Sequence, residues 1–191
     1  ATGFLFEGDR VSTVVTPDHN YKADIIVLAA GAHSLPLAIE LKTRVPLETE
    51  RGYHVTFGNS GVDLKTPVLA VDEHFLITPM EPGLRSAGLV EFGGLKAPPN
   101  RALHSMLVRE TKKLFPGINT SHLSNWMGYR PAMPDSLPVI GRTPKFNNAF
   151  LAFGHGHIGL TSAAATGQAI ANLAANRPTQ FDVRPFRPDR F

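Results

Sequence analysis

Three glycines are the residues of this chain whose type and spacing most directly suggest chemistry. Gly154, Gly156 and Gly159 stand in "AFLAFGHGHIGLTSAAATGQAI", between an apolar run of strand character and an alanine-rich run of helical character. Glycine lets a backbone approach a ligand closely and aim its N–H groups at an anion; a helix N-terminus behind it adds partial positive charge. The spacing reads G-x-G-x-x-G, the fingerprint of a dinucleotide pyrophosphate cradle. That fingerprint needs a following strand that ends in an acid about 20 residues on, to hold a ribose. Here that distance leads to "NRPTQFD", a proline-flanked exit from the helix. The anion-cradle physics stands, and the pyrophosphate reading fails its context.

Other reactive types lead less far. His155 and His157 form an H-x-H pair, but no third ligand has metal-like spacing, so no metal is expected. Ser34 and Ser162 lack the G-x-S-x-G elbow of a nucleophile. The chain has no cysteine, which removes disulfides, thiolate metal sites and cysteine nucleophiles together.

The elements that must position the glycines follow from periodicity. "GFLFE", a Gly8-Asp9 turn and "RVSTVVT" predict an opening hairpin. Residues 24–30, in "KADIIVLAAGAHSLPLAIEL", are a continuous apolar run, as expected of a strand buried on both faces of a parallel sheet. Gly31 permits a sharp turn, and Ser34 is expected to cap a helix with Pro36 in its first turn. The middle changes character: "RGYHVTFG" alternates Tyr53, Val55 and Phe57 on one face, and "HFLITPM" with "LRSAGLVEFGGL" predicts a second hairpin. A helix is expected from Asn100, its cap, to the stop at Pro116-Gly117. Residues 149–153 then form a short strand, followed by the glycine loop and a helix to about Ala175. The fold class expected is α/β plus α+β: parallel-sheet pieces flanking an antiparallel-sheet domain. The divisions expected are 1–44, 45–130, 131–176 and an extended, solvated tail over 177–191.

Composition bounds the partners. With 42% hydrophobic and 18% charged residues, the 191-residue chain is too apolar for disorder and rich enough to bury a core. Its net charge of +3 is mild, and no basic patch with interleaved aromatics marks a nucleic-acid partner. The chain opens on "ATGFLFEGDRV", already in strand-like alternation, so it is expected to be a portion of a longer protein.

Three stretches together, "ADIIVLAAGAHS", "GYRPAMPDSLPVIGR" and "FLAFGHGHIGLTSAAATGQAIANL", resemble the C-terminal part of FAD-dependent amino-acid oxidoreductases. These comprise the D-amino-acid dehydrogenase, glycine oxidase and D-amino-acid oxidase superfamily, and the bacterial dehydrogenase-like branch is most similar. The family's own dinucleotide motif lies near its N-terminus, so the resemblance implies a C-terminal fragment with its adenosine-binding unit missing, holding FAD weakly and inactive by itself. It implies that Ala30, Gly31 and Ala32 pass the cofactor's phosphate and ribityl portion. Gly154, His155, Gly156, His157, Ile158, Gly159, Leu160 and Thr161 would wrap the flavin ring. Arg130, in "GYRP", matches the arginine that holds the substrate carboxylate, a task suited to a planar fork of donors; Tyr53 would line the same pocket. Without the resemblance, Arg130 reads equally as a structural ion-pair partner.

The implied reaction is hydride transfer from an amino-acid Cα to flavin N5, giving an imino acid that water hydrolyses to an oxo acid and ammonia. The flavin does the redox step, so no catalytic side chain is expected. The electron acceptor stays open between oxygen and a quinone or electron-transfer chain, and with it a cytoplasmic location or one at the inner face of the membrane. Two other readings stay open as well. One is a flavin enzyme for another carboxylate substrate (sarcosine, a proline type or a 2-hydroxy acid). The other is a non-catalytic binding or assembly module, with self-association through the face that truncation exposes.

Overall fold

The computed structural model describes residues 1–191. In chain order its first elements are β1 (Gly3–Glu7), β2 (Arg10–Val15), β3 (Asn20–Lys22), β4 (Ile26–Leu28) and α1 (Ser34–Glu40). Then come β5 (Glu48–Phe57), β6 (Val68–Ala70), β7 (Phe75–Met80), β8 (Gly83–Phe92) and α2 (Arg101–Leu114). The last are β9 (Leu123–Ala132), β10 (Val139–Arg142), β11 (Ala149–Phe153) and α3 (Gly159–Ala174). The chain divides into two compact units, Ala1–Thr49 with Arg130–Phe191, and Glu50–Tyr129.

In the first unit β1, β2 and β3 form an antiparallel sheet around the expected Gly8-Asp9 turn. A second sheet has the order β10-β11-β4, with β11 and β4 parallel and Ala149 opposite Ile26. Phe4, Val11, Ile26, Leu28, Leu151 and Phe153 belong to one core. On its other face the second sheet packs against α3 through Ile140, Phe150, Ala169 and Ile170. Buried Asn148 stitches the two sheets: its side chain accepts from Val11 N–H at 2.9 Å and donates to the Val11 and Asp24 carbonyls at 2.8 and 2.9 Å. Because a side-chain amide carries both donor and acceptor, it completes ladder positions that backbone alone would leave unpaired.

Three expectations change here. Strand β4 alternates rather than burying both faces: Ile26 and Leu28 are inside, while Val27 is 44% exposed. It is an edge strand of a three-stranded sheet, and on its second face Val27 borders a cavity that separates it from α3. Ser34 does not cap α1. It is the first helical residue, and its Oγ is buried without a partner. The terminal residues are not a free extended tail. Val183 and Phe186 pack on the core beneath α3, and Pro188 is buried against Gly141. Apolar residues among the prolines give this segment something to bury.

In the second unit the strand order is β6-β7-β8-β5-β9, and Tyr53, Val55 and Phe57 of β5 point into one core with Phe75, Ile77 and Leu107. Each such fully buried side chain contributes roughly 2 kcal/mol. Asn100 caps α2 as expected, its side chain accepting from Ala102 N–H at 3.1 Å. Trp126 is 54% exposed, stacks on His54 with centroids 4.8 Å apart and lines a surface cavity with His104 and Val108.

Candidate functional site

The glycine loop leaves the carboxyl end of β11 and reverses through two left-handed residues, Gly154 at φ 86° and Gly156 at φ 54°. Only glycine takes these values without strain. At Gly154 a Cβ would also lie 2.8 Å from Met133 Cγ, so the loop and the 131–137 segment touch through backbone. At Gly156 the Cβ position faces open space, and its N–H donates to Pro131 O at 2.8 Å. His155 turns inward, its Nε2 2.9 Å from Thr166 Oγ1 on α3. Burial holds its pKa below the ordinary histidine value, which favours the neutral ring.

His157, Ile158, Leu160 and Thr161 are exposed, Leu160 to 94%. The cap residue of α3, Ile158, offers no side-chain acceptor. Ser162 Oγ does not reach back as a cap either, but donates to Ile158 O at 2.8 Å. The first-turn amides of α3, from Gly159, Leu160 and Thr161, therefore have no acceptor within the helix and present its positive end.

The second turn sits beside the first. After β4 the chain passes exposed Ala30, turns left-handed at Gly31 (φ 56°) and buries Ala32 in a short 3-10 turn closed by His33 N–H to Ala30 O. Since β4 and β11 are parallel neighbours, both turns stand at carboxyl strand ends, where open α/β sheets bind ligands. Between β4 and α3 lies an apolar cavity of about 450 Å³, lined by Val27, Ala29, Ala152, His155, Ala163 and Gly167.

Arg130 begins the segment that meets the glycine loop, since its neighbour Pro131 accepts from Gly156. The Arg130 side chain is half-buried, and its Nη1 is out of contact with solvent and has no hydrogen-bond partner. A buried donor without an acceptor costs about 1–3 kcal/mol, more when charged.

Tyr53 belongs to the other unit and is 1% exposed. Its hydroxyl donates to the Glu91 carboxylate and accepts from Asn100 N–H at 3.1 Å, and its ring meets His104 edge-on. Burial raises its pKa, while the hydrogen bond from Tyr53 holds Glu91 below the carboxylate range. The hydroxyl is thus engaged within its own unit. Beside it Arg51 gives Nη1 to Glu91 at 2.9 Å and Nη2 to the carbonyls of Ala97 and Pro98. Sequence reasoning passed over Arg51, Pro131 and Met133; only the proximity of "ERG" and "RPAM" to singled-out residues could have drawn attention to them. No group of three or more His, Cys, Asp or Glu could hold a metal ion.

Comparison with known proteins matches residues 1–173 to the FAD dependent oxidoreductase family. A protein named D-amino-acid oxidase, from Bradyrhizobium diazoefficiens, is 38% identical over 195 aligned positions, covering 100% of this chain and 46% of the relative. A D-amino acid dehydrogenase of Paramagnetospirillum magneticum is 34% identical, covering 98% of this chain and 45% of its own length. Among solved structures, glycine oxidase from Geobacillus kaustophilus superposes with a TM-score of 0.86 at 22% identity, over 100% of this chain and 51% of that one. The chain spans about half the length of the curated relatives it matches. No helix is long and apolar enough to cross a membrane.

Proposed function

The chain belongs to the FAD-dependent oxidoreductase family, and from that premise we propose that it forms the flavin-facing and substrate-facing part of an enzyme that oxidatively deaminates amino acids, D-amino acids foremost. The observation that carries the reading is the unpartnered, buried Nη1 of Arg130, whose chain neighbour Pro131 is hydrogen-bonded to the glycine loop. A substrate carboxylate would supply the missing acceptor, and a guanidinium can grip it with two parallel bonds.

The donor set fits FAD. The first-turn amides of α3 are uncapped, the turns at Gly31 and Gly156 have open space above them, and the neighbouring cavity is apolar. Gly154, Gly156 and the 159–161 amides would hold the flavin ring, with Ala30, Gly31 and Ala32 along the phosphate and ribityl portion. Bound FAD supplies the redox chemistry by taking up the Cα hydrogen as hydride. This chain's own part is to orient and to stabilise charge. Arg130 fixes the carboxylate and so the Cα, and the helix N-terminus offsets negative charge on the ring edge it faces. The names of the relatives, an oxidase and a dehydrogenase of D-amino acids, support the substrate class.

Residues 1–191 alone are expected to hold FAD weakly, because they span only about half of those relatives; retention of one FAD per chain after desalting would contradict this. The reading itself is tested on the parent protein of which residues 1–191 are expected to be a portion, by anaerobic bleaching of the flavin absorbance. D-amino acids are expected to bleach it faster than glycine, sarcosine or proline. Bleaching by 2-hydroxy acids and by no amino acid would overturn the substrate class.

A further inference from the structure

We propose that the last residues of the chain are a positioning device for the glycine loop, acting through Arg190 and Asp135 on the turn that carries Met133. Arg190 donates from Nε to Asp135 Oδ2 at 2.7 Å and from Nη2 to Asp135 Oδ1 at 3.2 Å and Leu137 O at 2.7 Å. Its Nη1 donates to Arg187 O at 3.0 Å, so one guanidinium joins the terminal turn to the 133–137 turn. The latter is tight. Ser136 takes a left-handed φ of 60° and donates to Met133 O at 2.9 Å, while Asp135 also accepts from Leu137 N–H at 3.1 Å. A non-glycine residue holds such a conformation only where surrounding contacts over-determine it.

From this turn the constraint runs to the glycine loop by two contacts. Met133, itself buried, fills the place a Cβ would take on Gly154, and Pro131 accepts from Gly156 N–H. The terminal segment is anchored independently by Pro188, which sits against Gly141. An exposed ion pair such as Lys65–Asp63 could not do this, because solvent and side-chain freedom dissipate it. The Arg190 side chain is 13% exposed, is held by three acceptor groups and meets the carboxylate with two nitrogens. Asp135 responds as expected, its pKa held below the usual range chiefly by Arg190.

Amide exchange followed by NMR tests the proposal on the chain itself. In Arg190→Ala and in Asp135→Asn, the Gly156 amide is expected to exchange about tenfold faster, the equivalent of one charge-assisted hydrogen bond lost. Arg190→Lys should recover part of this, since it keeps the charge and loses the fork. The Val55 amide in the other unit should not change. Faster exchange confined to Phe186 and Arg187, with Gly156 at its original rate, would overturn the proposal and leave the tail a mere cover of the Ile140 core. If Arg190→Ala does not fold, Asp135→Asn decides, because it keeps the shape and the acceptor for Leu137. The consequence for substrate rests on the carboxylate role of Arg130. In the FAD-loaded parent protein, Arg190→Ala should then raise the amino-acid KM about tenfold at nearly constant kcat, the pattern of lost uniform binding. Fast Gly156 exchange with an unchanged KM would sustain the clamp and count against that role instead.

Discussion

Arg51 in one unit and Arg130 in the other both carry guanidinium nitrogens out of reach of water, and their partners differ. Both terminal nitrogens of Arg51 are engaged, by Glu91 and by the carbonyls of Ala97 and Pro98, and only its Nε lacks an acceptor. Through Glu91 it shares a network with Tyr53 and Asn100, so this charge fixes the segment between β8 and α2. The Nη1 of Arg130 has no partner, and the chain continues from it to Pro131, which accepts from Gly156 of a loop that leads to the uncapped first turn of α3. Buried charge with its partners inside the chain builds architecture; under the proposed function, the unpartnered nitrogen of Arg130 is the one kept for a substrate carboxylate. The Tyr53 hydroxyl takes part in the Arg51 network through Glu91.

The largest effect that can break the comparison is on stability. Arg51→Ala should lower unfolding free energy by about 3 kcal/mol, because it deletes a fully buried cation and strands its acceptors. Arg130→Ala should cost little or even stabilise, since it removes an unsatisfied donor. Urea denaturation checks both, and equal losses at the two positions would erase the distinction. Gly154→Ala comes next. It must adopt φ 86° and press on Met133, so roughly 2 kcal/mol of destabilisation is expected. Tyr53→Phe should cost about 1 kcal/mol, the net worth of a hydroxyl bond in a network, and should leave amino-acid bleaching of flavin unchanged.

The smallest effect sharpens the role of the terminal clamp. Asp135 has a depressed folded pKa, so its contribution is complete above the ordinary aspartate value near 3.9 and is lost as pH falls through the lower folded value. Wild type should therefore exceed Asp135→Asn in stability at neutral pH, with the gap closing below about pH 4. A gap that is constant with pH would remove the charge from the account.

Much of what positions the site is local, and local features were legible. The strand at 149–153 is an apolar run stopped by glycine, and the left-handed turns fall on Gly31, Gly154 and Gly156, where backbone freedom alone demands that residue. The Asn100 cap and the alternation of β5 were readable for the same reason. What stayed hidden depends on distant partners. Strands β3, β6 and β10 are three or four residues long and exist through pairing. Asp135 makes a local turn bond to Leu137 N–H, but its partner Arg190 lies 55 positions away. The half-exposed Val27 of β4 contradicts an apolar run that reads as doubly buried, because composition reports what a strand can bury and not how closely α3 packs upon it. Nor does any sequence pattern announce that one nitrogen of Arg130 lacks an acceptor.

The central claim, the proposal that Arg130 awaits a carboxylate, is tested most directly by substrate affinity in flavin bleaching of the parent protein. Arg130→Ala should weaken D-amino-acid affinity by about a hundredfold, the value of a charge-assisted, bidentate grip, and Arg130→Lys should recover only part of it. An unchanged affinity in Arg130→Ala would contradict the account and return Arg130 to the architecture alongside Arg51.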